Sequence, residues 1–399
     1  MTAARQAPGR NTRRHETALR QRAHCRRRTR WLPLALTVLA TWISGCNAPA
    51  RHPPKRAPQT GPERVLVVIN GRSAASDSVG QYYVRRRGID PTHVVRLDVS
   101  DDDEIGDIAF QTDIVSPVRA AIARLPVRID FILLTTGIPI RVARKNGYSV
   151  DAQLAGMNLA IPPMVGLDSA WLAQYHNPYF NATRPFSSSE YGMYLVTRLA
   201  CGRFTDCLAL VDRCMDARAS NGPFYFDGTP FSTRTDGYAT MNRLLYLAAY
   251  RLQTNGVEAQ LDTTAAFIAP SRPVMGYVSW GSNDTHFDSA AYHRVRFLPG
   301  ALAETFVSTS ARTFGPTVGG QSRIVDLIAQ GVTGVKGYVS EPYTVALANP
   351  DILFDRYLRG ATLAEAFYAA SRMVLWKDIV IGDPLCAPYA RPLDSTRGR

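Results

Sequence analysis

Val65-Leu66-Val67-Val68-Ile69 places five apolar residues in a row, four of them β-branched. A strand without polar alternation must be covered on both faces, which is the situation of a strand inside a parallel sheet flanked by helices. The downstream segments fit that setting. Asn70–Ser73 reads as a turn, and Asp77–Arg87 as a helix closed by Gly88. His93–Val99 is a second strand, Ile114–Arg124 a second helix and Asp130–Thr136 a third strand. After an interruption, Tyr194–Leu199 resumes as a strand. Strands at Phe224–Asp227, Val274–Ser279, Thr305–Ser308, Val335–Val339 and Ile379–Ile381 then alternate with helices at Tyr238–Gln253, Gln321–Gln330 and Thr362–Val374. Strict alternation of this kind predicts an α/β protein, a parallel-sheet αβα sandwich in two successive α/β halves, 64–200 and 201–390. Residues 145–191 break the rhythm and are rich in Asn, Pro, Tyr and Ser. They form an inserted loop, a lid or a binding surface such as the aromatic stretch Trp171–Phe180.

The charge is distributed unevenly. The chain of 399 residues carries a net +13, yet residues 1–60 hold 13 Lys and Arg against a single acid, Glu16. The remainder is nearly neutral, so the folded body offers no basic groove for phosphates, and no nucleic-acid partner is expected. The basic stretch serves export better. Arg26-Arg27-Arg28-Thr29-Arg30 precedes the apolar run Trp31–Ile43 and then Ser44-Gly45-Cys46. This is the order of a secretory signal, and the run is short for a bilayer span. Ile43-Ser44-Gly45-Cys46 resembles the bacterial lipobox. That resemblance implies residues 1–45 as signal, Cys46 as the lipidated new N-terminus and 46–63 as a Pro-rich tether. The expected partner at that end is membrane lipid, and the expected location is the bacterial envelope, most simply the outer membrane. Residues 391–399 form a tail.

Export implies an oxidising compartment. Four cysteines then belong to the body: Cys201, Cys207, Cys214 and Cys386. Asp206–Ala217 reads as a helix with Thr205 as its N-cap. On it Cys207 and Cys214 lie about 10 Å apart along the axis, too far for a disulfide with each other. Cys201 with Cys207 stays open, buried thiols being the alternative. No spacing resembles a zinc site. The acidic run Asp98–Glu104 has Asp103 where an EF-hand loop needs glycine, so it reads as a solvated loop. No metal and no cofactor are expected.

In an open α/β sheet the ligand crevice lies beyond the carboxyl ends of the strands. Three loops qualify: Trp280-Gly281-Ser282-Asn283-Asp284, Ser308-Thr309-Ser310 and Glu341-Pro342-Tyr343. Ser282, Ser308 and Ser310 are the candidate nucleophiles. His286 and His293 are the imidazoles close enough in sequence to serve as base, and Asn283 or Asp284 could orient it. Glu341 is a second acid or a ligand. Trp280, Asn283 and Tyr343 are candidate binding residues. Each has a plainer role available: Asn283 and Asp284 cap the turn, Glu341 is a turn carboxylate, Thr285–Arg294 is a solvated loop and Trp280 a core aromatic. Asp383 in Gly382-Asp383-Pro384 reads as a structural turn, and Gly315–Gly320 as a flexible loop ahead of its helix.

The phrases Thr136-Gly137-Ile138-Pro139, Val196-Thr197-Arg198-Leu199, Ser279–Asp284, Gly331–Tyr343 and Val380–Cys386 resemble a family of exported bacterial proteins without an assigned function. More distantly the chain resembles gingipain-type cysteine peptidases of the caspase-like fold. It has an Arg198-Leu199 strand followed by a helix, a helix carrying Ala364-Glu365-Ala366-Phe367, and the Gly382-Asp383-Pro384 turn. The resemblance implies a caspase/gingipain-like sheet, with a histidine after one strand and a cysteine after the next. The matching positions here are Trp280-Gly281-Ser282 and Ser308-Thr309-Ser310, which hold neither. A thiolate–imidazole pair is what makes such a site reactive. The expectation is therefore a binding or scaffold protein on a degenerate peptidase fold, with a peptide or protein ligand. The alternative is a hydrolase that uses a serine of the 279–310 loops.

Overall fold

The computed structural model describes residues 61–144, 147–160, 174–230 and 235–390. The signal stretch, Cys46, most of the tether, Trp171–Ala173 and the tail lie outside the described residues. Ten strands form one sheet. They are β1 (Val65–Asn70), β2 (Val94–Leu97), β3 (Phe131–Thr135), β4 (Leu195–Leu199), β5 (Phe224–Asp227), β6 (Ala259–Asp262), β7 (Val274–Ser279), β8 (Phe297–Thr305), β9 (Gly334–Tyr338) and β10 (Asp378–Ile381). Their order is β2-β1-β3-β4-β10-β9-β8-β7-β5-β6. The first four strands make one flank and the last six the other, and the flanks meet where Ile381 pairs with Arg198.

All six residues of β1 are buried, as its unbroken apolar run requires, and β1 pairs parallel with both β2 and β3. Pairing is parallel within each flank, but β10 runs parallel to β4 and antiparallel to β9, so the two flanks point in opposite directions and the expected all-parallel sheet is corrected to a mostly parallel one. The cause is the return of the chain. Val339 at the carboxyl end of β9 bonds to Lys377 at 2.9 Å, so β10 enters the sheet where β9 leaves it.

Helices cover both faces. α1 (Ala74–Arg87) is capped by Ser73, whose side chain accepts from Ser76, and stops at Gly88 with φ of 66°, a turn that glycine makes without strain. α2 (Ser116–Arg124), α3 (Val150–Ala155) and α4 (Phe204–Met215) follow, then α5 (Gly237–Thr254), α6 (Ser289–Arg294), α7 (Ile324–Ala329), α8 (Pro350–Leu358) and α9 (Leu363–Ala370). α9 opens on a complete capping box: Thr362 accepts from Glu365, and the Glu365 side chain accepts from Thr362. Among the described residues, no helix is long and apolar enough to cross a membrane.

Several local expectations are corrected. α4 starts at Phe204 with Arg203 as N-cap, so Thr205 lies inside the helix. β8 ends at Thr305, which moves Phe306–Ser308 into the exit loop. The stretch read as a solvated loop, Thr285–Arg294, contains α6, because Asp288 caps Ala290 and Ala291 and Tyr292 is buried. α9 stops at Ala370 rather than running to Val374. In the described part of the aromatic insertion Tyr175, Asn177 and Tyr179 are buried, while His176 and Pro178 are exposed. Tyr175 packs edge-on to Trp376, and Tyr179 packs against Phe186 and donates to Arg184 O at 2.9 Å.

The phrases Gly-Ile-Pro and Arg-Leu have one shared explanation. Arg198 is fully buried and forks onto Asp151, 2.6 Å from Nη2 to Oδ2, while also donating to the carbonyls of Ile138 and Pro139. Asp383 is likewise structural: it accepts from Tyr83 at 2.8 Å, Arg87 at 2.5 Å and Leu385 N at 3.0 Å. Cys201 and Cys207 form a disulfide, and Cys214 and Cys386 are buried thiols.

Candidate functional site

β5, β7 and β8 are neighbours through parallel pairing, so their carboxyl ends open side by side. Trp280 leaves β7 and is buried. Its indole stacks on Tyr238 at the start of α5, with centroids 5.2 Å apart, and meets Phe306 edge-on at 5.0 Å. Its Nε1 donates to Asn242 Oδ1 at 3.3 Å, and Asn242 also clasps Thr229, accepting at 2.9 Å and donating at 3.0 Å. Between these groups and Asp284 lies a cavity of about 210 Å³. A small notch of about 20 Å³ adjoins it and reaches Ser308, Glu341 and Tyr343; Tyr238, Trp280 and Asn283 line both spaces. Tyr343 stands half-exposed at the mouth, in a backbone conformation (φ 61°, ψ 156°) that residues other than glycine rarely adopt.

Asp227 and Asp262 close two adjacent strands near this crevice, and a third carboxylate, Asp284, lines it from the loop after β7. Asp227 closes β5, in register with Ser279 of β7 on one side and Asp262 of β6 on the other. It is 1% exposed, and its Oδ2 has no hydrogen-bond partner among the described residues. Burial pushes its carboxyl up to about 8, and the charges of Asp284 and Asp262 add to the effect. Asp262 is held by Thr264 N at 2.8 Å and Tyr225 Oη at 3.3 Å. Asp284 accepts from His286 N at 2.7 Å, the turn-shaping bond open to it from sequence.

The two loops expected to carry nucleophile and base are stitched together. Asn283 donates to Phe306 O at 2.6 Å and accepts from Gln321 at 2.8 Å. Gln321 accepts from Thr309 at its N–H, 3.0 Å, and at its hydroxyl, 2.8 Å. The Ser282 hydroxyl accepts from Ser322 N at 2.9 Å, and Ser282 N donates to Ser322 Oγ at 3.1 Å. The segment ahead of α7 thus fills the gap between the strand tips with amides and hydroxyls.

The proposed Ser/His/Asp set is not assembled by these contacts. His286 is mostly exposed, with Nδ1 3.1 Å from the Thr285 hydroxyl and 3.7 Å from Asp284 Oδ1. His293 Nδ1 donates to Ser289 O, one helical turn back, at 2.7 Å. Ser310 is buried, and its Oγ accepts from Tyr338 N at 3.3 Å. Glu341 accepts from Tyr343 N at 2.9 Å, a turn carboxylate at the notch. Trp280, Asn283, Asp284, Ser308, Glu341 and Tyr343 are brought to one crevice; Ser282 lies in the seam, Ser310 below it and His286 outside. A hydroxyl without a neighbouring base is a weak nucleophile, and among the described residues neither His286 nor His293 is hydrogen-bonded to Ser282, Ser308 or Ser310.

Sequence reading missed Asp227, Asp262, Tyr238, Asn242, Gln321 and Ser322. One signal was present, an aspartate as the last residue of the apolar strand Phe224–Asp227. β6 was too short and too mixed to register. A buried cluster on β8 and β9 also went unseen. There Lys336 donates to Ser371 Oγ at 2.7 Å and Ala346 O at 3.0 Å. Glu304 accepts from Tyr338 Oη at 2.6 Å, and its carboxyl is pushed up to about 8 by burial against the opposing pull of Lys336 and Tyr338. Glu304 and Lys336 are fully enclosed, so this cluster belongs to the core.

No family model matches the chain, and no curated protein sequence does. The fold does have solved counterparts. The crystal structure of the Arg-specific cysteine proteinase gingipain R superposes with a TM-score of 0.51 at 12% identity, over 84% of this chain and 80% of that one. A structure described as a protease gives 0.46 at 11% identity over the same shares. At such identity the likeness concerns the fold alone: this chain has a distant gingipain-like α/β fold.

Proposed function

We propose that this is an exported, envelope-anchored protein, held by lipid at Cys46, whose strand-tip crevice binds an extended peptide segment without cutting it. The observation that supports the reading most is the seam. Where a peptidase of this architecture needs a thiol and an imidazole facing each other, Asn283, Gln321, Ser282 and Ser322 satisfy one another. Beside that seam the aromatic crevice stays open, with Tyr238 and Tyr343 at its edges. Rigid aromatics over a polar floor are typical anchors for a bound chain.

Two measurements on residues 61–390 test this. Peptide arrays should yield segments that bind and are recovered intact, and Tyr238→Ala should weaken the best of them about tenfold, the loss of one aromatic anchor. A fluorophosphonate probe should leave Ser282, Ser308 and Ser310 unlabelled. Specific labelling at one of these, lost on its replacement by alanine, would establish the hydrolase instead.

A further inference from the structure

Away from the crevice, a lysine and a carboxylate are shut together inside the sheet. β8, β9 and β10 are neighbours, with Glu304 in register with Lys336 and Tyr338 opposite Asp378. Side chains two apart on a strand share a face, so Glu304, Lys336, Tyr338 and Asp378 all stand on one face of three adjacent strands. Lys336 and Asp378 are diagonal neighbours across the β9–β10 pair, a separation that a long side chain spans. The Lys336 side chain is 0% exposed and that of Asp378 10%, and Nζ lies 3.3 Å from Oδ2.

The surroundings hold the amine still and leave the acid free to turn. Nζ donates to Ser371 Oγ and to Ala346 O, which leaves its third hydrogen for Asp378. The Tyr338 ring lies alongside, its centroid 5.2 Å from Nζ. Asp378 Oδ1 is buried with no hydrogen-bond partner among the described residues, so nothing pins the carboxyl group on that side. Glu304 Oε2 is likewise without a partner, and burial pushes that carboxyl up to about 8, so it is protonated at neutral pH. A protonated Glu304 adds no second negative charge to hold Lys336 in its ammonium form. Two opposite charges in such an interior stay poorly solvated even when paired, and one neutral bond in their place removes both.

We propose that Lys336 and Asp378 condense to an isopeptide bond, a covalent tie that the folded chain makes between β9 and β10. Lys336 passes one proton from Nζ to Oδ2, which frees an electron pair facing the acid. That pair attacks Cγ and forms the N–C bond. The Cγ–Oδ2 bond then breaks, and the hydroxyl leaves with a second Nζ proton as water. The last proton stays on the amide nitrogen. Nothing is oxidised or reduced, and no co-reactant is needed. Enclosure supplies what the reaction lacks in water: fixed proximity of the two groups, a desolvated amine and no bulk solvent to reverse the step. The tie falls at the joint of the two flanks, since β10 is the strand through which β9 reaches β4.

Tryptic mapping of the purified full chain, denatured before digestion, tests the assignment. Trypsin does not cut after an acylated lysine, so residues 324–356 should stay in one piece and carry the peptide that begins at Asp378. The joined mass should be one water below the sum of the two peptides. Fragment spectra should place the link at Lys336 and Asp378 in most of the chains. In Asp378→Ala, with a melting curve confirming folding, trypsin should cut after Lys336. Cleavage after Lys336 in most wild-type chains would overturn the proposal and leave an ion pair only. So would a link from Lys336 to Glu304, or a folded Asp378→Ala variant in which Lys336 stays uncut.

Discussion

Replacing Asp227 by asparagine keeps the shape of the side chain and removes its ability to ionise. In the folded chain this carboxyl is raised from the ordinary 3.8 to about 8, first by burial and then by Asp284 and Asp262. Between those values the folded state holds a proton that the unfolded state has released. Stability therefore falls as pH rises, by about 1.4 kcal/mol per unit, and the loss levels off above about pH 8. Over the whole window the difference amounts to about 6 kcal/mol, a large share of the total stability of a typical domain. Glu304 shifts in the same direction, from 4.5 to about 8, but it is present in both proteins, so their difference isolates Asp227. Urea unfolding of wild type and Asp227→Asn at half-unit steps from pH 5 to 9 reads this directly. The two should differ least at pH 5 and diverge towards pH 8, with the variant the more stable. Parallel curves would refute the reasoning, as would a variant less stable than wild type at pH 9. Either result would mean that the ionised carboxylate finds a donor in the folded protein.

Two further outcomes concern the core. Arg198→Ala strands Asp151 without its partner and should cost about 3–5 kcal/mol in urea unfolding, whereas Arg198→Met with Asp151→Leu should recover much of it; equal losses for both would count against a buried ion-pair penalty. Cys214 and Cys386 should resist iodoacetamide in the native protein and react only on unfolding, with Cys201 and Cys207 reactive only after reduction; mass spectrometry showing fast native alkylation of Cys386 would contradict its burial.

The parallel flank built from Val65–Asn70, Phe131–Thr135 and Leu195–Leu199 was legible because unbroken apolar runs have few other places to go. The antiparallel entry of β10 was not, since nothing local in Ile379–Ile381 encodes direction; it depends on where Ser371–Lys377 delivers the chain. α8 was overlooked although Asn349-Pro350 marks its start, and α6 because a six-residue helix shows less than two turns of pattern. The loops after β7 and β8 were legible as strand-end loops from the apolar runs before them. Their internal bonds were not, because Gln321 and Ser322 lie 38 and 40 residues from the side chains they meet. Contacts of that range are set by the fold, and periodicity carries no record of them.

β1 lies inside the sheet, with parallel partners on both sides. A chain held by its amino end would transmit any tug straight along that strand. Its ladder bonds would be loaded sideways and all together, rather than peeled off singly as at a free hairpin. In a force-clamp experiment with handles at residues 61 and 390, the molecule should therefore behave as a stiff link that yields abruptly, not as one that unravels in small steps.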